Sequence, residues 1–179
     1  MKLRYGLAFV LALGLSVFAS SATVRAAEET TVEALAAYQS YGRLFRTAEN
    51  QALFVGGFDG IMFVANGRGA LNTAKIVCPG MMEVNLDDGR TTGEGRCIIT
   101  DSEGNRVFAK WRCSGEALVG CKGAFDLTAG TGRFQGISGG GDFILRTAIT
   151  KFARDMSEDH AEGIGLGLAV WPNLKYRLP

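Results

Sequence analysis

Histidine occurs once in this chain, at His160, and proline three times. A single imidazole in a charged stretch does not build a histidine metal cluster, and a Ser-His-Asp arrangement would have to be assembled around that one side chain. No C-x-x-C spacing is present: Cys78, Cys97, Cys113 and Cys121 stand 19, 16 and 8 residues apart, which is not a zinc-ligand pattern. No metal and no cofactor is therefore expected. No cysteine precedes Cys78, which leaves no N-terminal thiol for lipid attachment. Basic residues are also too few and too interspersed for a phosphate-binding face, so nucleic acid is not an expected partner. After Phe18 no apolar run is long enough to cross a bilayer, and no stretch has the length and periodicity of an amphipathic helix.

What is present begins with MKLRYGLAFVLALGLSVFASSATVRAA. Lys2 and Arg4 precede an apolar run from Leu7 to Phe18, and Val24 and Ala26 stand at the −3 and −1 positions of a cleavage site after Ala26. The run is shorter than the roughly 20 residues of a spanning helix, so residues 1–26 read as a secretory signal peptide and residues 27–179 as one exported domain, periplasmic or secreted. Removing Lys2, Arg4 and Arg25 takes the 19 basic residues to 16 against 18 acidic ones, a mature charge of about −2. Four cysteines in an oxidising compartment read as two disulfides.

From about residue 50 onward, short stretches rich in Val, Ile and Phe alternate with Gly, Asp and Asn, the pattern of a strand meander. Strands are expected near 36–46, 51–64, 74–86, 92–101, 106–113, 118–127, 140–149 and 164–178, the last broken or bent at Pro172. Residues 31–38 could instead open as a helical turn capped by Thr31, and KFARDMSEDHAEG at 151–163 reads as an exposed loop or short helix. DDGR (87–90) and DSEGNR (101–106) are hairpin turns and call for antiparallel neighbours. With Gly56, Gly57, Gly60, Gly165 and Gly167 inside strands, where a sheet bends to close, the expected architecture is an all-β, single antiparallel, approximately eight-stranded closed barrel. The hairpins pair Cys78 with Cys97 on a diagonal and Cys113 directly opposite Cys121, the latter about a turn centred on Ala117. The inward set is expected among Phe54, Phe58, Met62, Val84, Ile99, Trp111, Phe125, Phe134 and Phe143 or their neighbours. No apolar patch is expected on the outer face.

AGTGRFQGISGGGDF, residues 129–143, has glycine at six positions. Its Gly136 falls one residue too late for a dinucleotide fingerprint, the triple glycine that follows cannot sustain the helix that would hold a pyrophosphate, and no Lys-Ser or Lys-Thr closes a P-loop. The glycines therefore serve tight turns, with Phe134 and Ile137 driven into the core. Together with CIITDSEGNRVFAKWRCSG upstream, this segment resembles the allene oxide cyclase-like barrels, to which plant dirigent proteins are related. Those families carry a Gly-Gly-Thr-Gly-Lys/Arg-Phe-x-Gly segment late in the barrel and an Asp-x-x-Gly-Asp hairpin; Ala129 and Asn105 depart from the pattern. The resemblance covers roughly residues 75–148 and implies an eight-stranded antiparallel barrel.

Candidate chemistry rests on carboxylates. Asp59, in LFVGGFDGIMFV, is the charge most surrounded by apolar sequence, though Asp-Gly is also a turn signal. Asp59 or Glu83 with Arg96 is the candidate lumen pair, Arg133 and Arg146 being further cations beside strand residues. Three functions remain open: a barrel that binds a small apolar or amphipathic molecule in its lumen, placed first; a structural or interaction protein of the cell envelope with a packed barrel; and a cofactor-free cyclase, isomerase or dirigent-like protein.

Overall fold

The computed structural model describes residues 29–154 and 160–178, and the side chains of all of these except 149–154 and 160. The expected signal peptide and cleavage site lie outside the described residues. Eight strands follow in chain order: β1 (Glu29–Ala48), β2 (Gln51–Val64), β3 (Ala74–Asn85), β4 (Arg90–Thr100), β5 (Arg106–Glu116), β6 (Gly120–Gly130), β7 (Ser138–Arg154) and β8 (His160–Arg177). Each pairs antiparallel with its sequence neighbours, and β1 pairs with β8, so the sheet closes. Followed round the wall, the register runs from Phe45 through Leu53, Glu83, Thr92, Ser114, Lys122, Ile144 and Val170 to Leu35, a stagger of ten residues on β1. Stagger and strand number together set the width of a barrel, and eight strands enclose a lumen that side chains can fill or that holds one small ligand.

Residues 31–38 are strand, not a helical turn. Val32, Ala34, Ala36 and Tyr38 are buried while their odd-numbered neighbours are exposed, a period of two rather than 3.6. The alanines are there because the wall opposite is bulky: Ala34 faces Trp171 on one side and Val64 on the other. Strand extends from both ends into the expected 151–163 loop, β7 continuing to Arg154 and β8 starting at His160. Near Pro172 the strand continues through an irregularity: Ala34 faces Trp171 but Val32 faces Leu174, so Pro172 and Asn173 stand opposite the single Glu33, a bulge of one extra residue.

Both expected disulfides form, Cys78–Cys97 and Cys113–Cys121, and both face inward. Their geometries are interchanged relative to expectation. Val77 faces Ile98 and Gly80 faces Gly95, which sets Cys78 directly opposite Cys97 with Cα atoms 4.1 Å apart. Cys113 faces Gly123 while Gly115 faces Cys121, so the second bridge is the diagonal one, with Cα atoms 5.7 Å apart. The cause is a one-residue difference in each turn. Asn85 begins the first turn, its carbonyl accepting from the Gly89 N–H at 2.9 Å and its side chain from the Asp87 N–H at 2.9 Å; the second hairpin pivots on Leu118 rather than Ala117.

The two ends of the barrel differ. At one end lie the connections β2–β3, β4–β5 and β6–β7, and there Leu71, Val107, Phe134, Ile137 and Leu174 are all buried. Phe134 ends a short 3-10 turn, Gly132–Phe134, inside the glycine-rich segment, so that segment is a plug. Arg133 ties the plug down: its Nε lies 2.7 Å from Asp101 Oδ2 in the β4–β5 turn, and it donates to the Ala70 carbonyl of the β2–β3 loop at 3.2 Å. Gly132 is obligatory, since its φ is +56° and a Cβ there would collide with the Asn105 side chain.

The expectation of a patch-free outer face is corrected by the register. Leu35 stands beside Phe63 and Val170, and Ala37 beside Ile61 and Leu168. Of these, Leu35, Ile61, Phe63 and Leu168 are exposed, as is Leu166 next along β8. Read singly, each strand looked like ordinary alternation; only barrel closure brings β8, β1 and β2 together.

Candidate functional site: an apolar cavity at the open end of the lumen

Strand parity decides which side chains can take part in lumen chemistry. Even-numbered residues of β1, β2 and β3 face inward, and odd-numbered ones do so in β4, β5 and β6. Asp59, Glu83 and Arg96 all have the outward parity. Asp59 lies in mid-strand, not in a turn, beside the Tyr41 hydroxyl, which donates to its Oδ1 at 3.4 Å. Glu83 and Arg96 are exposed on β3 and β4, Arg146 is exposed on β7, and Arg133 caps the packed end. The lumen carboxylate–arginine pair expected from sequence is therefore not assembled. The apolar inward set fares differently. Phe58, Met62, Ile99, Trp111, Phe125, Phe134 and Phe143 are buried, whereas Phe54 and Val84 are half-buried because they border a void.

That void is a cavity of about 220 Å³ reaching the opposite end of the barrel from the plug. Its wall includes Leu44 of β1, Phe54 and Phe58 of β2, Met82 and Val84 of β3, Trp111 of β5 and Leu145 of β7, and it extends to Ala117 and Leu118 in the β5–β6 turn. Leu118 is 72% exposed at that rim with φ +65°, a conformation leucine rarely adopts. Below the cavity the aromatic rings close ranks. Phe58 lies 6.3 Å from Trp111, Trp111 6.5 Å from Phe143, and Phe125 5.1 Å from Trp171, centroid to centroid. These rings form the floor, and glycines make room for the Trp111 ring within it. The Trp111 indole lies across Gly80, Gly93 and Gly95, where any Cβ would press into the ring or the facing backbone.

Polar groups in this wall are few. Tyr38 OH donates to the Arg146 carbonyl at 3.0 Å and meets Thr147 Oγ1 at 2.6 Å, so its one proton and a lone pair are both engaged with β7. Burial pushes its pKa above the ordinary tyrosine value, outweighing the Thr147 hydrogen bond that opposes it, and the phenol is neutral at physiological pH. Among the described residues, Glu116 is the one carboxylate of the wall, exposed near the rim, and no lysine or arginine lines it. Among the described residues, no cluster of His, Cys, Asp and Glu is placed to hold a metal ion, and no helix is long and apolar enough to cross a membrane. The sequence did not single out Tyr38, Leu44, Met82, Thr91 or Leu118; the facing strand glycines Gly80, Gly93 and Gly95 signal only where the Trp111 ring lies, since it fills the space above them.

Comparison of the chain with family models, with curated proteins and with solved structures gives no match.

Proposed function

We propose that this is an exported barrel that binds one small apolar or amphipathic molecule in the open half of its lumen. The observation that carries this reading is the asymmetry of the interior. One end is plugged by Phe134 and fastened by Arg133, while the other retains an apolar cavity of about 220 Å³ that reaches the rim. Protein interiors are ordinarily packed without such voids, and an apolar void of this size forgoes contacts that a guest would restore. Export is supported by the composition of residues 1–26 and by the two disulfides, which persist in oxidising compartments. The resemblance to allene oxide cyclase-like barrels agrees with a lumen site, but Asp59 and Glu83 face outward, so a buried catalytic carboxylate does not support an enzymatic reading. The experiment is a melting screen against a panel of small apolar compounds. A ligand at a hundred times its dissociation constant adds about 2.7 kcal/mol, which at this chain length raises the Tm by about 5–11 °C. A panel that produces no shift contradicts binding.

A second reading, an interaction protein of the cell envelope, is favoured by the exposed apolar face of Leu35, Ile61, Phe63, Leu166 and Leu168. It is compatible with the first, because that face lies outside the barrel and the cavity inside.

A further inference from the structure

Leu118 is the most exposed large apolar side chain among the described residues, at 72%, and it stands in a turn that asks for glycine. The Val119 N–H donates to the Glu116 carbonyl at 3.2 Å, so Leu118 is the third residue of the turn. Its φ of +65° is the left-handed value that a type II turn requires at that place and that glycine supplies without steric cost. One other described non-glycine residue, Thr73, has a positive φ, but it lies at the plugged end and its hydroxyl donates to the Asn72 carbonyl at 2.7 Å. The Leu118 turn is not a loose tip. The Ala117 N–H donates to the Gly89 carbonyl at 2.8 Å, which fastens the β5–β6 turn to the β3–β4 turn and holds the leucine in place. A leucine there costs the free protein backbone strain and returns little burial, and strain of this kind marks positions where the side chain is used. What lies beside it is the mouth of the lumen, for Leu118, Ala117 and Gly120 all line the apolar cavity. Size then enters, since a dry apolar cavity of about 150 Å³ accepts benzene and this one, by the same scale, accepts roughly nine carbons. An apolar chain any longer emerges at this rim.

Resting on the lumen-binding reading, we infer that Leu118 is a binding residue for the guest, and that the apolar part of the guest is longer than the lumen holds. Its inner end lies on the aromatic floor and its outer end passes the rim. Leu118 packs against that outer end and is covered by it.

The test titrates two apolar probes into the wild type and into Leu118→Gly: toluene, whose seven carbons stay inside the lumen, and butylbenzene, whose ten reach the rim. The glycine variant is expected to bind butylbenzene about fourfold more weakly, the factor that one buried CH₂ is worth, and toluene within about twofold of the wild type. The Tm of the free variant is expected to rise, because glycine relieves the left-handed backbone. Leu118→Met, which keeps an apolar side chain of similar volume, should hold both affinities within about twofold. If the glycine variant does not fold, Leu118→Asn takes its place, since asparagine also accepts this φ and removes the apolar contact. A loss shared equally by the two probes, or a lowered Tm of the free glycine variant, would assign Leu118 to the fold of the turn and overturn this inference. Unchanged affinity for butylbenzene overturns it too and leaves lumen binding standing. Failure of both probes to bind the wild type overturns lumen binding and this inference with it.

Discussion

Phe134→Ala removes the plug from the packed end and tests whether the two ends of the barrel are separate. The ring is 1% exposed, belongs to the single core cluster, and has the Arg133 guanidinium 5.1 Å from its centroid. Truncating a phenylalanine so enclosed costs about 3–5 kcal/mol in lost transfer and cavity terms. The lower end of that range applies if Leu71 and Ile137, which ride on loops, move in to fill the space. The Tm is then expected to fall by about 6–20 °C. Urea denaturation supplies the assay, with a lowered midpoint at an unchanged slope, because the surface exposed on unfolding is nearly the same. Affinity of the folded variant for an apolar probe in the open cavity should stay within about twofold, since the aromatic floor of Phe58, Phe125, Phe143 and Trp171 lies between the two ends. A cost under 1 kcal/mol would show that the glycine-rich segment is an ornament on the barrel. A tenfold loss of affinity in still-folded protein would show that the ends are coupled.

Non-reducing peptide mapping is expected to recover Cys78–Cys97 and Cys113–Cys121 alone, and each bridge contributes about 2–3 kcal/mol in the chain-entropy model, so reduction should lower the Tm; a 78–121 peptide would refute the register. At low pH the Asp101 carboxylate is the group to watch. Burial pushes its pKa up but is outweighed by hydrogen bonds from the Asn105 side chain and the Asn105 and Glu103 amides, with Arg133 adding to them, so the net shift is downward. Its contribution is therefore present above the unfolded value near 3.9 and is lost as pH falls through the lower folded value, so Asp101→Asn should flatten the acid limb of a stability–pH curve; an unaltered limb contradicts the tie between loops. Asp59→Asn, Glu83→Gln and Arg96→Gln should each change stability by no more than about 0.5 kcal/mol and leave probe binding untouched, as expected of surface positions; a binding loss in any of them would place it in the lumen after all.

The barrel was legible in the sequence because its determinants are local: two-residue alternation, turn chemistry at DDGR and DSEGNR, and glycines inside strands. Trp111, Phe125 and Phe143 could be assigned to the interior for the same reason. Less was legible where alanine replaces larger residues. Ala34 and Ala36 carry little hydrophobic contrast, so the start of β1 resembled a helical turn until Trp171 and Val64 appear on either side of it. Charge obscured the end of β7 and the start of β8, where a polar sequence is held in strand because the two pair with each other and β8 is in register with β1. The site was only half readable. Facing glycines suggested empty volume that the Trp111 ring in fact fills, and Asp59 was drawn in by its apolar neighbours when parity sends it outward. Parity is fixed by register, and register is a property of the closed sheet rather than of any one strand. The outer apolar face went unseen for the same reason.

The most direct test of the open cavity is native mass spectrometry of the protein, purified without detergent, beside a Leu44→Trp variant whose indole would occupy the space among Leu44, Phe54 and Met82. The wild type is expected to carry one small apolar or amphipathic adduct per chain, or to take up one equivalent of butylbenzene as an apolar probe, and the variant to carry none while keeping both disulfides and a cooperative melt. Bare protein in both cases, with no uptake by the wild type, would contradict the account.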